Sequence, residues 1–107
     1  MEAFGDIHLP AGLETAKAAG IVEGIAQGMR AQFGAIILSA PTLEKMELEP
    51  GGAGTFFRVH FKIWPGQSSL IETTFRQRVI NSMKAFDPNY ADWQVPVTYR
   101  ALAVLRP

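Results

Sequence analysis

The sequence predicts an α+β domain in which two amphipathic helices cover one face of a four-stranded antiparallel sheet. Two long segments have apolar residues at helical spacing. In one ten-residue segment, apolar side chains alternate with a set that is partly polar. The 107 residues match the usual size of one domain, and 48% of them are apolar, which is enough for a packed core. We therefore expect residues 1–107 to form a single domain.

The first two predicted elements are a short strand and a long helix. Ile7 and Leu9 alternate with polar side chains over residues 5–9, which predicts a strand that ends at Pro10. Residues 13–33 follow as a helix, because apolar side chains recur there every three or four positions. The predicted inner stripe of this helix consists of Ala18, Val22, Ile25, Met29 and Phe33.

A predicted hairpin occupies the middle of the chain. Residues 43–49 have a weaker strand pattern, and the glycine-rich residues 50–54 are typical of a turn. Residues 55–64 form the strongest predicted strand. Its alternation places Phe57, Val59, Phe61 and Ile63 on one face and Phe56, Arg58, His60, Lys62 and Trp64 on the other.

The last two predicted elements are a helix and an extended segment. Ser69 and Glu72 have the spacing of a capping box, which predicts that a helix begins there and runs over residues 69–86. Residues 92–105 are expected to be extended, and Pro96 indicates either an edge strand or a bulge at that position, because proline cannot donate a ladder hydrogen bond. The expected inner residues of the helix are Ile71, Phe75, Val79, Met83 and Phe86. In the extended segment, Trp93, Val95, Val97 and Tyr99 alternate with Gln94, Pro96, Thr98 and Arg100.

The resulting order, β-α-β-β-α-β, is that of the ferredoxin-like fold, in which both helices pack on one face of the sheet. We expect the apolar face of the strongest strand to meet the helices. The other face is then free to contact water or another protein. A candidate interface on that face consists of Phe56, Arg58, His60 and Trp64.

A second candidate interface runs along the first helix, where Gly20, Gly24 and Gly28 recur every four residues. Each glycine inside a helix costs about 1 kcal/mol relative to alanine, so we expect a contact that offsets this cost. Two explanations are open. The glycines let another helix or backbone pack closely, or they lie beneath the second helix of the same domain.

The composition argues against several classes of function. The chain has no cysteine, and His8 and His60 lie on different predicted strands, so we expect no metal, no cofactor and no enzymatic activity. Ten basic residues balance ten acidic ones, which argues against nucleic acid as a partner. Residues 54–61 partly match the strand motif of RNA-binding sheets, and this leaves RNA binding as a weaker alternative.

The charges are unevenly distributed along the chain. Residues 1–50 contain three basic and seven acidic side chains, a sum of −4, and residues 51–107 contain seven basic and three acidic ones, a sum of +4. One explanation is that the two halves neutralise each other within one fold. The other is that opposite patches steer head-to-tail contact between copies.

No segment is predicted to span a membrane. The longest candidate, residues 13–38, is interrupted by charged side chains, and the first nine residues lack the basic start of a signal peptide. If the chain belongs to a membrane protein, we expect the membrane part to lie before residue 1 or after residue 107.

Three sequence blocks follow one another over residues 33–87. They are Phe33-Gly34-x-Ile36-Ile37-Leu38-x-x-Pro41, then Arg58-Val59-x-Phe61-Lys62-x-x-Pro65-Gly66-Gln67, then Phe75-Arg76-x-Arg78 with Met83-Lys84-x-Phe86-Asp87. In order and spacing, this combination resembles the C-terminal cytoplasmic α/β domain of the small-conductance mechanosensitive ion channel family. The last strand departs from the family pattern and keeps only its apolar-Pro-apolar core, Val95-Pro96-Val97.

The resemblance implies a non-catalytic module that joins identical subunits into a vestibule below the channel pore. It implies a homo-oligomer on the cytoplasmic side of the inner membrane, attached to the membrane only through a channel region outside this chain. An alternative based on the fold alone is a small dimeric α+β barrel that binds an organic ligand or acts as a cofactor-free enzyme. Phe56, His60 and Trp64 would then line its pocket.

Overall fold

A computed structural model describes residues 1–10, 12–46 and 56–100 of the chain. A π-helical turn (Leu70–Phe75) leads into the second helix, and a 3₁₀ turn (Asp92–Gln94) precedes the last strand. The strands and helices are β1 (Glu2–His8), α1 (Thr15–Gln32), β2 (Thr42–Met46), β3 (Phe56–Lys62), α2 (Arg76–Met83) and β4 (Val97–Arg100). This order confirms the predicted β-α-β-β-α-β succession.

The four strands form one sheet in the order β2-β3-β1-β4, and all neighbouring strands are antiparallel. The fold is therefore ferredoxin-like, as predicted. The prediction that the last strand lies at an edge is also confirmed. Pro96 stands just before β4, where its carbonyl oxygen accepts a hydrogen bond from the Asp6 amide of the central strand.

The core lies between the sheet and the two helices. Phe57, Val59, Phe61 and Ile63 are all buried, which confirms the predicted inner face of β3. The Phe75 ring, which comes from the π-helical turn, packs edge-on against Phe61 with 4.9 Å between the ring centroids. The helices and the π-helical turn contribute further buried side chains, namely Ala18, Val22, Ala26, Met29, Ile71, Val79, Ile80 and Met83.

The first strand begins earlier than predicted, at Glu2 rather than at residue 5. Its inward positions are Ala3, Gly5 and Ile7, and two of these residues are too small to mark an apolar face in the sequence. Gly5 is small for a physical reason. A Cβ atom at this position would lie 2.8 Å from Cε2 of Phe75, so the ring occupies the space that a side chain needs.

The predicted capping box at Ser69 is wrong. Ser69 has helical backbone angles (φ −59°, ψ −27°) and makes no side-chain cap hydrogen bond. Its carbonyl oxygen instead accepts a hydrogen bond from the Thr73 hydroxyl, one turn further into the helix. The helix continues through the π-helical turn into α2.

Two large apolar residues of the predicted patterns are exposed. α2 ends at Met83, so Phe86 lies beyond the helix, where the Lys17 ammonium is 5.2 Å from its ring centroid. Trp93 lies in the 3₁₀ turn and is 76% exposed, because this segment is not the extended strand that alternation predicted. The predicted turn at residues 50–54 and the predicted strand ends at 47–49 and 101–105 lie outside the described residues.

Candidate functional site

One face of the sheet is left uncovered by the helices, and we call it the open face. None of its side chains belongs to the hydrophobic core cluster. Strand pairing brings together residues that are far apart in the sequence. The open face consists of Glu2, Phe4, Asp6 and His8 on β1, Thr42 and Glu44 on β2, Phe56, Arg58, His60 and Lys62 on β3, and Thr98 and Arg100 on β4.

One polar contact at the centre of the open face is a two-point ion pair between Asp6 and Arg58. Arg58 donates from Nε to Oδ1 at 2.8 Å and from Nη2 to Oδ2 at 3.0 Å. The hydrogen bond with Asp6 raises the pKa of Arg58. The guanidinium also lies 5.7 Å from the Phe4 ring centroid and 5.8 Å from that of Phe56, within range for cation–π attraction. Arg58 therefore connects charged and aromatic groups.

Glu2 is the second centre of charge on the open face. Arg100 donates to its Oε2 from Nε, at 3.0 Å, and from Nη2. His60 Nε2 lies 3.5 Å from the same oxygen. The hydrogen bond with Arg100 lowers the pKa of Glu2 below its ordinary value. Both ion pairs join the acidic first half of the chain to the basic second half, which supports neutralisation within one fold.

The lowered pKa of Glu2 predicts an effect on stability in acid. The folded state holds the carboxylate ionised, so this stabilisation is present above the pKa of the unfolded chain, near 4.5, and is lost as pH falls further. We expect Glu2→Gln to lose less stability than the wild type between pH 5 and pH 2. Urea unfolding over this range measures the difference, with Glu23→Gln on α1 as the control. Parallel pH curves for wild type and Glu2→Gln would contradict the prediction.

Aromatic contacts occupy the centre and one end of the open face. The Phe4 and His60 rings stack with 4.7 Å between centroids and 11° between planes. The His8 and Phe56 rings lie 5.1 Å apart. Nε2 of His60 is buried yet makes no hydrogen bond among the described residues. The Glu2 Oε2 atom, 3.5 Å away, is its nearby acidic contact.

The residues predicted for the open face are only partly together. Phe56, Arg58 and His60 share one network, although Phe56 is buried rather than open to solvent. Trp64 lies past the end of β3 and is 56% exposed. Trp64 and Leu38, another exposed apolar residue, belong to two segments that are joined by backbone hydrogen bonds.

Sequence reasoning missed the β1 and β4 members of this network, namely Glu2, Phe4, Asp6 and Arg100. The available signal was the alternation of Glu2, Phe4 and Asp6 with small residues. Small inward residues made that alternation look like an irregular segment. Their pairing with β3 depends on strand register, which a single sequence does not specify.

The glycine strip of α1, formed by Gly20, Gly24 and Gly28, is exposed. A Cβ atom at any of the three positions would meet no described atom within 4 Å. The explanation that these glycines lie beneath the second helix of the same domain is therefore wrong. The strip faces away from the core formed by Ala18, Val22 and Met29.

Among residues 1–10, 12–46 and 56–100, no group of three His, Asp or Glu side chains is placed to hold a metal ion. An open groove of about 610 Å³ lies along the second helix, remote from the open face. Polar side chains line it, among them Glu72, Arg76, Arg78 and Asp92.

Comparison with known proteins identifies the fold and no family. Neither a protein-family model nor a curated protein sequence matches the chain. Among solved structures, the chain is similar to the solution NMR structure of a de novo designed protein with ferredoxin fold, LFR1 1. The TM-score is 0.58 at 15% sequence identity, and the match covers 97% of this chain and 88% of the designed one. This similarity shows the ferredoxin-like fold alone.

Proposed function

We propose that the chain is a cytoplasmic assembly domain of a small-conductance mechanosensitive ion channel, where it acts through contacts between identical subunits and catalyses no reaction. The observation that carries this proposal is the conjunction of the three sequence blocks on a ferredoxin-like fold. No separate block is distinctive, so their arrangement in space is the relevant evidence.

The three blocks form one contiguous unit. Leu38 of the first block donates its amide to the Lys62 carbonyl of the second at 2.8 Å, and the Trp64 amide that follows donates to Ile36 at 3.1 Å. The edge-on contact between Phe61 and Phe75 joins the second block to the third. Residues that pack against one another constrain each other's identity. The contacts between the three blocks therefore support the interpretation that the blocks belong to one inherited pattern.

The turn of the second block adds a local constraint. Gly66 has φ +86°, a backbone conformation that residues with a side chain rarely adopt. Pro65 before it pre-sets the turn. The Pro-Gly pair is thus required by the geometry between β3 and the second helix, and it supports the interpretation of the block as a structural motif.

The proposed location is the cytoplasmic side of the inner membrane. None of the helices in the described parts of the chain has the length and apolar character needed to cross a bilayer. The proposal therefore places the membrane-spanning region outside this sequence. Reading the coding sequence that flanks residues 1–107 tests this directly. In-frame membrane helices are expected, and an open reading frame without them would overturn the proposal.

Within this proposal, the glycine strip of α1 is the contact surface between subunits. Replacing Gly20, Gly24 and Gly28 together by alanine is expected to stabilise the folded chain, by up to about 1 kcal/mol per site, because exposed glycines are poor helix residues. The added methyl groups would at the same time keep a neighbouring subunit from approaching, and assembly should weaken at least roughly tenfold, the equivalent of about 1.4 kcal/mol.

Chemical unfolding and light scattering measure the two effects separately. Glu23→Ala, on the same helix, is the matched control for stability and assembly. A triple alanine variant that is more stable and assembles as well as the wild type would exclude the strip as the subunit contact.

The alternative of a ligand-binding dimeric barrel has less support. Ligand pockets are lined mostly by apolar side chains with few polar groups. The open face instead carries charges that pair with one another, as Asp6 does with Arg58 and Glu2 with Arg100. Its features suit contact with protein better than enclosure of an organic molecule.

A further inference from the structure

The charges on the open face change sign from strand to strand. One row across the sheet contains Lys62, Glu2 and Arg100, whose signs are plus, minus and plus. A second row contains Glu44, Arg58 and Asp6, whose signs are minus, plus and minus. The His60–Phe4 pair lies in the row between these two.

The alternating charges make the open face complementary to a second copy of itself under a two-fold rotation. A line drawn between the neighbouring strands β1 and β3 separates acidic residues from basic ones. In both rows the residue on β1 is acidic and its partner on β3 is basic. A two-fold axis parallel to this line places β1 of one sheet over β3 of another. Asp6 then faces Arg58 of the second copy, and Glu2 faces Lys62 of the second copy.

The same rotation matches the aromatic positions. Phe4 faces His60 of the second copy, and His8 faces Phe56 of the second copy, which are the pairs whose rings already lie side by side within one chain, the first stacked and the second tilted. Cross-strand pairing that is favourable inside the sheet is thus repeated between sheets. A surface that matches itself under a two-fold rotation is the requirement for a symmetric dimer interface.

We propose that the open face binds a second copy of this chain, related by a two-fold axis parallel to β1 and β3. Sheets that pack face to face lie about 10 Å apart with their strands within about 30° of each other, a distance that arginine and glutamate side chains can bridge. Opposite charges set the register of the pair, and Phe4 and Arg58 are residue types enriched at interface centres.

This inference does not rest on the channel assignment. The proposed subunit contact uses the glycine strip of α1, whereas the sheet pair uses the open face on the opposite side of the sheet. Separate variants therefore test the two proposals.

An exchange of the central ion pair tests the sheet pair. The double variant Asp6→Arg with Arg58→Asp keeps an opposite-charge pair within each chain, so it is expected to fold. It also pairs with itself, because the exchange is symmetric. A mixed dimer with the wild type, however, would bring like charges together at the two-fold-related sites, and such contacts cost several kcal/mol, or a loss of roughly a hundredfold in affinity.

Native mass spectrometry of the 107-residue chain, mixed with an isotope-labelled partner, gives the readout. Labelled and unlabelled wild type should form mixed dimers at the statistical share, roughly half of all dimers. Wild type and exchanged variant should each form dimers but scarcely any mixed ones. Statistical mixing, or a monomer at tens of micromolar, would overturn the inference. A larger assembly that mixes freely would also overturn it, while remaining compatible with the proposed channel function.

Discussion

Replacement of Gly5 by alanine is expected to destabilise the protein by about 1–3 kcal/mol, the usual cost of overpacking a core. The new Cβ atom would lie 2.8 Å from Cε2 of Phe75. The ring has little room to retreat, because Phe75 is fully buried and its edge contacts Phe61 on β3. Equilibrium unfolding in urea, monitored by circular dichroism, measures the loss.

The same substitution at Gly28 is a matched control of opposite sign. Gly28 lies on an exposed helix face where an added Cβ atom would meet no described atom within 4 Å, so Gly28→Ala is expected to stabilise by about 0.5–1 kcal/mol. A double variant, Gly5→Ala with Phe75→Leu, tests the mechanism. If the clash is the cause, the two costs will be less than additive, because leucine no longer occupies the position of the ring edge. Full additivity would place the cause elsewhere.

Gly5 also illustrates why sequence predicts some strands better than others. In β3 the inward residues are large and apolar, so alternation alone identified the buried face correctly. In β1 the inward side is filled by Phe75 from the helix layer, and the strand has the small residues Ala3 and Gly5 there. Small residues that fit a large neighbour give no hydrophobic pattern in the strand that carries them.

The candidate interface on the open face was likewise predicted on one strand and missed on its neighbour. The β3 residues Phe56, Arg58 and His60 followed from the alternation of one strand. Their partners on β1 did not, because pairing of Asp6 with Arg58 requires the register of strands 52 positions apart. The exposure of the glycine strip likewise depends on the rotation of α1 about its own axis over the sheet. Helical periodicity alone did not decide whether the strip faces outward or toward the second helix.

The exposure of the Trp93 side chain has a different cause. Alternation of apolar residues from Trp93 to Tyr99 predicts one continuous strand, yet the chain forms a 3₁₀ turn before β4 begins at Val97. The turn is held by the Gln94 side chain, whose Oε1 accepts the Ala91 amide at 3.1 Å. The turn held by this local hydrogen bond directs the Trp93 side chain to solvent. Val95, two residues later, stays buried in the core.

Removal of the Tyr90 hydroxyl is the second substitution with a large expected effect. This hydroxyl donates to the His8 carbonyl oxygen at 2.6 Å and so ties the segment before β4 to the end of β1. Tyr90 is 1% exposed, so water cannot replace the lost donor. We expect Tyr90→Phe to destabilise by about 1–2 kcal/mol, the range for a buried hydrogen bond. Tyr99→Phe should cost less, because Tyr99 is only half-buried where it donates to Ser68.

Burial also gives Tyr90 a role in alkaline stability. It raises the pKa of the hydroxyl above its ordinary value of 10.0, so the folded state keeps the proton that the unfolded chain releases. The stabilisation is therefore complete below pH 10 and is lost as pH rises beyond it. Tyr90→Phe removes this dependence, so its unfolding free energy should fall less steeply than that of the wild type between pH 9 and pH 11.5. An unchanged slope would mean that the Tyr90 hydroxyl is solvated in the folded protein.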